Sequence, residues 1–238
     1  MKNKIFIFTG SGISVESGIP TFRTGSDGLW YNHKIEEVAT IDAWSKDRQK
    51  VLNFYNLRRA QLSQVEPNLG HKIIADLQQD FELVLATQNV DNLHERAGSQ
   101  SVIHLHGELT KSQSSLDPDL IYDCPGDINI GDNCEKGSQL RPNITWFGEN
   151  LDWKKIHQCE KAAGESEVCI IVGTSMQVSP ANLLPFKTPE SCIIYYVDPG
   201  PVDFYIPKSR LPFFYHIKET STIGLQKVKE ELYQIFNK

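Results

Sequence analysis

The segment from Thr9 to Arg23 holds the residues of this chain best suited to chemistry. Gly10 and Gly12 follow the apolar run Ile5–Phe8, flank Ser11 and precede Ile13. A glycine turn that leaves a buried strand and opens a helical pattern is suited to hold a phosphate. Glycine lets the backbone turn tightly and approach a ligand closely. The amides that follow are expected to offer unpaired N–H groups to an anion. Taken alone, a strand-to-helix turn with no ligand explains the segment as well. The next glycine is Gly18, so the spacing departs from the dehydrogenase fingerprint. No acidic residue ends a second strand nearby to hold a ribose. Pro20-Thr21-Phe22-Arg23 reads as a loop that folds over the ligand.

Other polar residues fall at matching places. Gln88 follows the apolar run Phe81–Ala86, and His106 follows Val102–Leu105. Gly173 follows Val168–Val172, and Asp198 follows Cys192–Val197. A last run spans Phe213–Ile217. Helical patterns lie between several of these, at Lys46–Gln64, Leu69–Gln79, Trp153–Ala163 and Thr222–Phe236. The alternation predicts an α/β chain, a Rossmann-like open parallel sheet with helices on both faces. Ligands in such sheets sit beyond the carboxyl ends of the strands, so these strand ends are expected to converge on one crevice. Two stretches break the alternation: about 26–64, mainly helical, and 110–143, rich in Ser, Asp, Gly and Pro. They are read as insertions that make a smaller lobe within a single catalytic domain spanning 1–238.

Hydrophobic residues make up 39% of the chain and charged residues 23%, the balance of a soluble globular protein with a substantial core. The net charge of −6, with no basic tract, argues against nucleic acid as a partner. No apolar run approaches the ~20 residues of a membrane span. The N-terminus runs directly into the first strand, so no export signal is expected. With five cysteines at irregular spacing, a reduced cytoplasmic protein is expected.

Three further features complete the pattern: Thr87-Gln-Asn-Val-Asp-Asn-Leu-His-Glu-Arg-Ala-Gly98, Ile103-His-Leu-His-Gly107 and Trp146-Phe-Gly-Glu149. Together with Gly10–Arg23 and Gly173-Thr-Ser175, they resemble the motifs of the sirtuins, NAD-dependent protein deacylases, in order and over nearly the whole chain. The chain is most similar to the bacterial branch that removes acidic acyl groups as well as acetyl. The resemblance implies NAD as a consumed co-substrate and acylated lysine side chains of proteins as partners. The implied products are nicotinamide, deacylated lysine and O-acyl-ADP-ribose.

The resemblance implies that His106 is the general base, taking a proton from a ribose hydroxyl. A lone His after a strand is otherwise more often structural, and His71, His94 and His104 are read that way. Gln88, Asn89, Val90 and Asp91 are implied to line the nicotinamide and ribose pocket, with Asn89 and Asp91 catalytic beside His106. Amide and carboxylate groups can hydrogen-bond a carboxamide and ribose hydroxyls. The alternative is a capped turn in which Asn89 or Asp91 starts the next helix. Gly10, Ser11, Gly12, Ile13, Phe22, Arg23 and Trp30 are implied to join the cofactor site, with Phe22 shielding the reacting ribose from water. Gly173, Thr174, Ser175 and Asp198 are implied to form its adenosine side, with a tight strand-ending turn the coexisting alternative for Gly173–Ser175.

Spacing places both Arg58 and Arg59 near the helix face of Tyr55; the resemblance selects Arg58, which with Tyr55 is implied to clamp an acyl carboxylate through paired guanidinium donors and a phenol. The alternative is a solvated face with Tyr55 against the core. Gly25 or Ser26, before Trp30, would enlarge that pocket. Phe147, Gly148 and Val178 are implied to flank an extended substrate peptide, with ordinary lobe packing the alternative for Trp146 and Phe147.

Most sirtuins hold a structural zinc with two Cys-x-x-Cys pairs. Here 110–143 contains only Cys124 and Cys134 and no histidine. Ser112–Ser115 stand where the first pair belongs, and Lys136-Gly137 follow Cys134. Two thiols cannot close a tetrahedral site, so no metal is expected. Cys159, Cys169 and Cys192 read as buried apolar residues. Ser11 replaces the usual Ala, and Tyr196-Val197-Asp198 departs from the usual adenine-side pattern. Two other functions stay open: ADP-ribosyl transfer or NAD hydrolysis on the same fold, and a non-catalytic NAD-sensing module.

Overall fold

Ile, Phe and Thr fit a pleated surface buried on both sides, and the first apolar run forms β1 (Lys4–Thr9). The computed structural model describes residues 2–21 and 34–237. Phe22, Arg23, Gly25, Ser26 and Trp30 lie outside the described residues. After β1 come a 3-10 turn (Ser11–Ser17), α1 (Ile35–Val38), α2 (Ile41–Lys46), α3 (Arg48–Leu62) and α4 (Leu69–Asp80). Next are β2 (Glu82–Thr87), α5 (Leu93–Arg96), β3 (Ile103–His104), β4 (Gly107–Ser114), β5 (Ile121–Asp123) and β6 (Leu140–Ile144). The chain ends with α6 (Trp153–Gly164), β7 (Val168–Val172), β8 (Ile193–Val197), β9 (Phe214–Ile217) and α7 (Ser221–Ile235).

The main sheet has the order β3-β2-β1-β7-β8-β9, and every neighbouring pair is parallel. All six strands predicted from the apolar runs are present. Alternate residues of β1 feed opposite layers, as a period of two requires. Ile5 and Ile7 pack with Ile73, Leu77, Leu225 and Val228 of α4 and α7. Phe6 and Phe8 pack with Ile156, Cys159 and Ala163 of α6. Each buried Ile, Leu, Val or Phe side chain among these contributes about 1.5–3 kcal/mol. Strand order reverses between β1 and β7, which makes their carboxyl ends the switch point where such sheets bind ligands.

The predicted helix over Lys46–Gln64 divides at Asp47. Its side chain accepts the Lys50 amide at 3.0 Å and starts α3, because a capping carboxylate satisfies an orphan N–H. The glycine-rich segment after β1 forms a 3-10 turn rather than an α-helix. In the stretch that showed little periodicity, the structure has a three-stranded antiparallel sheet, β5-β4-β6. A register irregularity between Glu108 and Ser112 breaks its alternation. β6 is an edge strand and so tolerates Pro142. A third apolar cluster joins residues of α1–α3, including Val51, Phe54 and Tyr55, to Leu109, Cys124, Ile144 and Trp146.

Candidate active site

Two glycine turns meet at the switch point. A Cβ on Gly10 would stand 2.6 Å from Thr174 Cβ, and one on Gly12 would stand 2.6 Å from Gly173 Cα. Gly173 has φ +59, and a Cβ there would reach 2.3 Å from the Ile13 nitrogen. These glycines are therefore required by the close approach of the β1 and β7 loops. The expectation of free amides is not met at three positions. Gly10 N–H donates to Val172 O (3.0 Å), Gly12 N–H to Gly173 O (2.7 Å) and Ile13 N–H to Gly10 O (3.2 Å). Ile13 itself is a core residue, fully buried in the layer beneath the sheet. Its side chain is spent on packing and does not line the cavity.

A cavity of about 830 Å³ opens at this point. Gly10, Ser11, Gly12, Gly173, Thr174 and Ser175 form one wall. Gln88, Asn89, Val90, Asp91 and His106 form a second, and Asp198 stands at the end of β8. The expected convergence of strand ends is therefore present.

The loop after β2 is fixed by a buried polar network. Thr9 Oγ1 donates to Thr87 Oγ1 at 2.8 Å, and Thr87 Oγ1 accepts the Asn89 amide at 3.0 Å. Ser14 Oγ donates to Asp91 Oδ2 at 2.9 Å and accepts from Asn89 Nδ2 at 3.2 Å. Asp91 Oδ1 accepts the Leu93 amide at 3.2 Å, so Asp91 also serves as the turn cap considered from the sequence. Burial holds the Asp91 carboxyl above its usual range, against the hydrogen bonds from Leu93 and Ser14. Thr174 Oγ1 donates to Gln88 Oε1 at 2.9 Å and ties the two walls together. Ser14 was missed by the sequence reading. Its only local signal is a small polar residue close behind Gly12.

Two histidines hold consecutive carbonyls of this loop. His106 Nδ1 lies 3.1 Å from Gln88 O, and His104 Nδ1 lies 2.9 Å from Asn89 O. A carbonyl only accepts, so each Nδ1 carries a proton. His106 thus presents Nε2 as an acceptor, and burial lowers its pKa despite the Gln88 bond. The Nε2 of His104 reaches Glu95 Oε1 at 2.8 Å. His94 Nε2 lies 3.0 Å from Thr9 Oγ1, behind the Thr9–Thr87 pair. His71 packs edge-on against His94 at 4.9 Å. Both His71 nitrogens and His94 Nδ1 are buried without partners, so these two are not the satisfied core histidines expected from the sequence.

Glu16 is a second residue that the sequence reading passed over. It accepts Ser221 Oγ at 2.7 Å, the Thr222 amide at 2.9 Å and Thr220 Oγ1 at 3.0 Å. These bonds dock the start of α7 at the cavity rim. Burial raises the Glu16 pKa, but the three hydrogen bonds outweigh it and the net shift is down. Asp198 Oδ1 accepts the Gly200 amide at 2.8 Å.

On the other side of the cavity, α3 places Tyr55 and Arg58 in the wall. Tyr55 is buried, and Arg58 is half-buried. Burial pushes the Tyr55 phenol up to about 12 and lowers the Arg58 pKa. Trp146 Nε1 donates to the Tyr55 hydroxyl at 2.9 Å. Phe147, Gly148 and Val178 also line the cavity. Phe147 pairs in parallel with Thr40 and donates its N–H to Ala39 O at 3.0 Å, while its side chain is 49% exposed. Trp146 packs in the third apolar cluster and also lines the cavity.

The Sir2 family profile matches residues 10–180. The chain belongs to the Sir2 family. A Helicobacter pylori protein named NAD-dependent protein deacylase is 47% identical over 209 residues, 88% of this chain and 90% of the relative. A Bacteroides thetaiotaomicron protein of the same name is 41% identical over 238 residues, 98% of each. A solved mutant Sir2 homologue in complex with ADP-ribose matches with TM-score 0.87 and 33% identity, covering 99% of this chain and 94% of its own.

The small lobe of this Sir2 chain does not supply the donor set of a structural zinc. Cys134 Sγ pairs with Ser138 Oγ at 3.1 Å, and Ser138 Oγ with Ser114 Oγ at 2.6 Å. Cys124 Sγ donates to Gly126 O at 3.3 Å. Neutral hydroxyls are not zinc ligands. Among the described residues no group of three His, Cys, Asp or Glu side chains is placed to hold a metal. The bond from Ser138 lowers the Cys134 thiol to about 7.

Proposed function

We propose that this Sir2 chain is an NAD-dependent protein-lysine deacylase that removes acetyl groups and, through Tyr55 and Arg58, succinyl and malonyl groups. The observation that carries the reading is that His106, the Gln88–Asp91 loop, the glycine turns and the Tyr55/Arg58 pair all line one cavity. The donor set suits a dinucleotide. It has hydroxyls, an amide and a carboxylate for sugar and carboxamide groups, and side-chain-free turns beside them. The relatives named NAD-dependent protein deacylase and the ADP-ribose complex support the same reading.

NAD would supply an electrophilic ribose carbon with nicotinamide as the leaving group, and the carbonyl oxygen of the acyl-lysine would bond to that carbon in its place. Asn89 and Asp91, locked by Ser14, orient the ribose. His106 Nε2 would take a proton from a ribose hydroxyl as that oxygen attacks the acyl carbon; the acyl carbon–lysine nitrogen bond then breaks, and the lysine amine leaves carrying a proton. Phe147, Gly148 and Val178 flank the substrate peptide. At the far end, the Arg58 guanidinium and the Tyr55 phenol bind an acyl carboxylate. All five cysteines are free and buried, which supports a reducing, cytoplasmic setting. No helix among the described residues is long and apolar enough to cross a membrane.

The test is incubation with NAD and matched acetyl-, malonyl- and succinyl-lysine peptides, with products identified by mass spectrometry. The expected product is O-acyl-ADP-ribose, lost on His106→Ala. Nicotinamide release without peptide turnover overturns the deacylase reading. Arg58→Met is expected to cut desuccinylation about tenfold or more beyond its effect on deacetylation. Equal losses overturn the carboxylate clamp.

A further inference from the structure

We propose that Trp146 is a positioning residue for acyl-chain selectivity: its indole N–H turns the Tyr55 hydroxyl into a donor directed at the acyl pocket. The inference rests on the acidic-acyl reading of Tyr55 and Arg58.

The argument begins with the direction of one hydrogen bond. An indole N–H can only donate, and Trp146 Nε1 stands 2.9 Å from the Tyr55 oxygen. Tyr55 therefore accepts at this contact, and its own proton must point elsewhere. Among the described residues, no acceptor is bonded to that hydroxyl. Tyr55 and Arg58 share the cavity wall, so the cavity is where the proton finds a partner. The phenol keeps its proton across the working pH range, since burial pushes its pKa up to about 12.

Trp146 is held firmly enough to impose this direction. The Arg141 guanidinium lies 3.5 Å from the centre of a Trp146 ring, and Trp44 packs on the indole at 5.6 Å. Arg141 grips Glu149 through both terminal nitrogens, at 2.6 and 2.9 Å. Glu149 Oε2 also accepts the Trp146 backbone N–H at 2.8 Å. One ion pair thus fixes both the ring and the main chain of Trp146. A terminal carboxylate in the pocket would accept from Tyr55 as well as Arg58. The methyl end of an acetyl group accepts nothing, and it leaves a buried donor unmatched. The indole N–H therefore tilts selectivity toward acids without touching the acyl chain.

The experiment is a double-mutant cycle on the ratio of kcat/KM for succinyl- over acetyl-lysine peptide. Trp146→Phe keeps an aromatic ring between Arg141 and Trp44 but removes the N–H, and Tyr55→Phe removes the hydroxyl. Each is expected to lower the ratio about tenfold, through KM for the succinyl peptide. The double variant is expected to fall no further, because both changes cut the same chain. Thermal melting reports folding. If Trp146→Phe does not fold, 3-benzothienylalanine at that position replaces the N–H by sulfur at nearly constant shape and is expected to lower the ratio likewise. A folded variant with the wild-type ratio, or additive losses in the double variant, overturns the inference and leaves the clamp standing. A wild-type protein that turns over acetyl but neither succinyl nor malonyl peptide overturns the acidic-acyl reading, and the inference falls with it.

Discussion

His106 Nδ1 lies 3.1 Å from the carbonyl oxygen of Gln88. That contact sets the tautomer and leaves Nε2 as the base. The base works only when neutral, above its pKa, and burial lowers that pKa. The acid limb of kcat/KM is therefore expected below the ordinary imidazole value of about 6.5. A pH–rate profile with NAD and acetyl peptide reads this directly, and an acid limb above that value contradicts it. His106→Ala is expected to lower kcat by about 10²–10⁴.

His104 places its two ring nitrogens on Asn89 O and Glu95 Oε1, an arrangement that the imidazolium satisfies with a donor at each end. Burial lowers its pKa, but the Glu95 bond and charge, with Asn89 and Glu108, raise it more. The folded pKa then exceeds the unfolded value of about 6.5. The resulting stability is fully present below that pH and is lost as pH rises through the folded pKa. Glu95→Gln is expected to cost roughly 1–2 kcal/mol near pH 5.5 and less as pH rises. Urea midpoints across that range measure it, and a gap that does not change with pH refutes it.

His71 shows the opposite sign. Burial lowers its pKa to about 4, and burial also holds His94 beside it well below the ordinary imidazole value. Below about pH 6.5 the unfolded chain binds protons that the folded chain refuses. Stability is thus present above that pH and falls as pH drops toward the folded value. His71 alone accounts for roughly 3 kcal/mol of that loss. His71→Phe is expected to flatten the urea midpoint between pH 7 and 4.5. An unchanged slope excludes His71 as its source.

Gly173 has φ +59 and no room for a Cβ. Gly173→Ala is expected to destabilise the fold by about 3 kcal/mol and to raise KM for NAD. Thermal melting and NAD titration check the two effects separately. An unperturbed melt would show that the β1 and β7 loops can separate at little cost.

In the small lobe Ser138 bridges Ser114 and Cys134, and two thiols cannot close a tetrahedral zinc site. Strong chelator is expected to leave both melting temperature and activity unchanged. Ser138→Ala is expected to cost about 1 kcal/mol by breaking its bonds to Ser114 and Cys134. Elemental analysis of protein purified without added zinc closes the question: near one equivalent of zinc contradicts the lobe chemistry.

The β7 run Val168–Val172 was legible because a strand buried on both faces reads as unbroken apolar sequence. The positions of Gln88, His106 and Gly173 were legible because each follows an apolar run, while their roles came from the resemblance to the sirtuin motifs. The small sheet was not legible. Its strands are short and polar, and an irregular register hides the period of two. Ser14 and Glu16 were not legible either. Their partners, Asp91 and Ser221, are distant in sequence, and a polar residue in a turn carries no sign of what it will meet.

The sequence by itself determined the six strands of the main sheet, the longer helices and the motifs at the strand ends, since period and turn chemistry are local. The tertiary structure decided which side chains meet. The order β3-β2-β1-β7-β8-β9 puts the Gly10 and Gly173 turns in contact and ties Gln88 to Thr174. Packing around Tyr55 decided that its hydroxyl accepts from Trp146. Such contacts depend on long-range register and on burial, where an unpaired polar group is costly and each bond direction is forced by its neighbour.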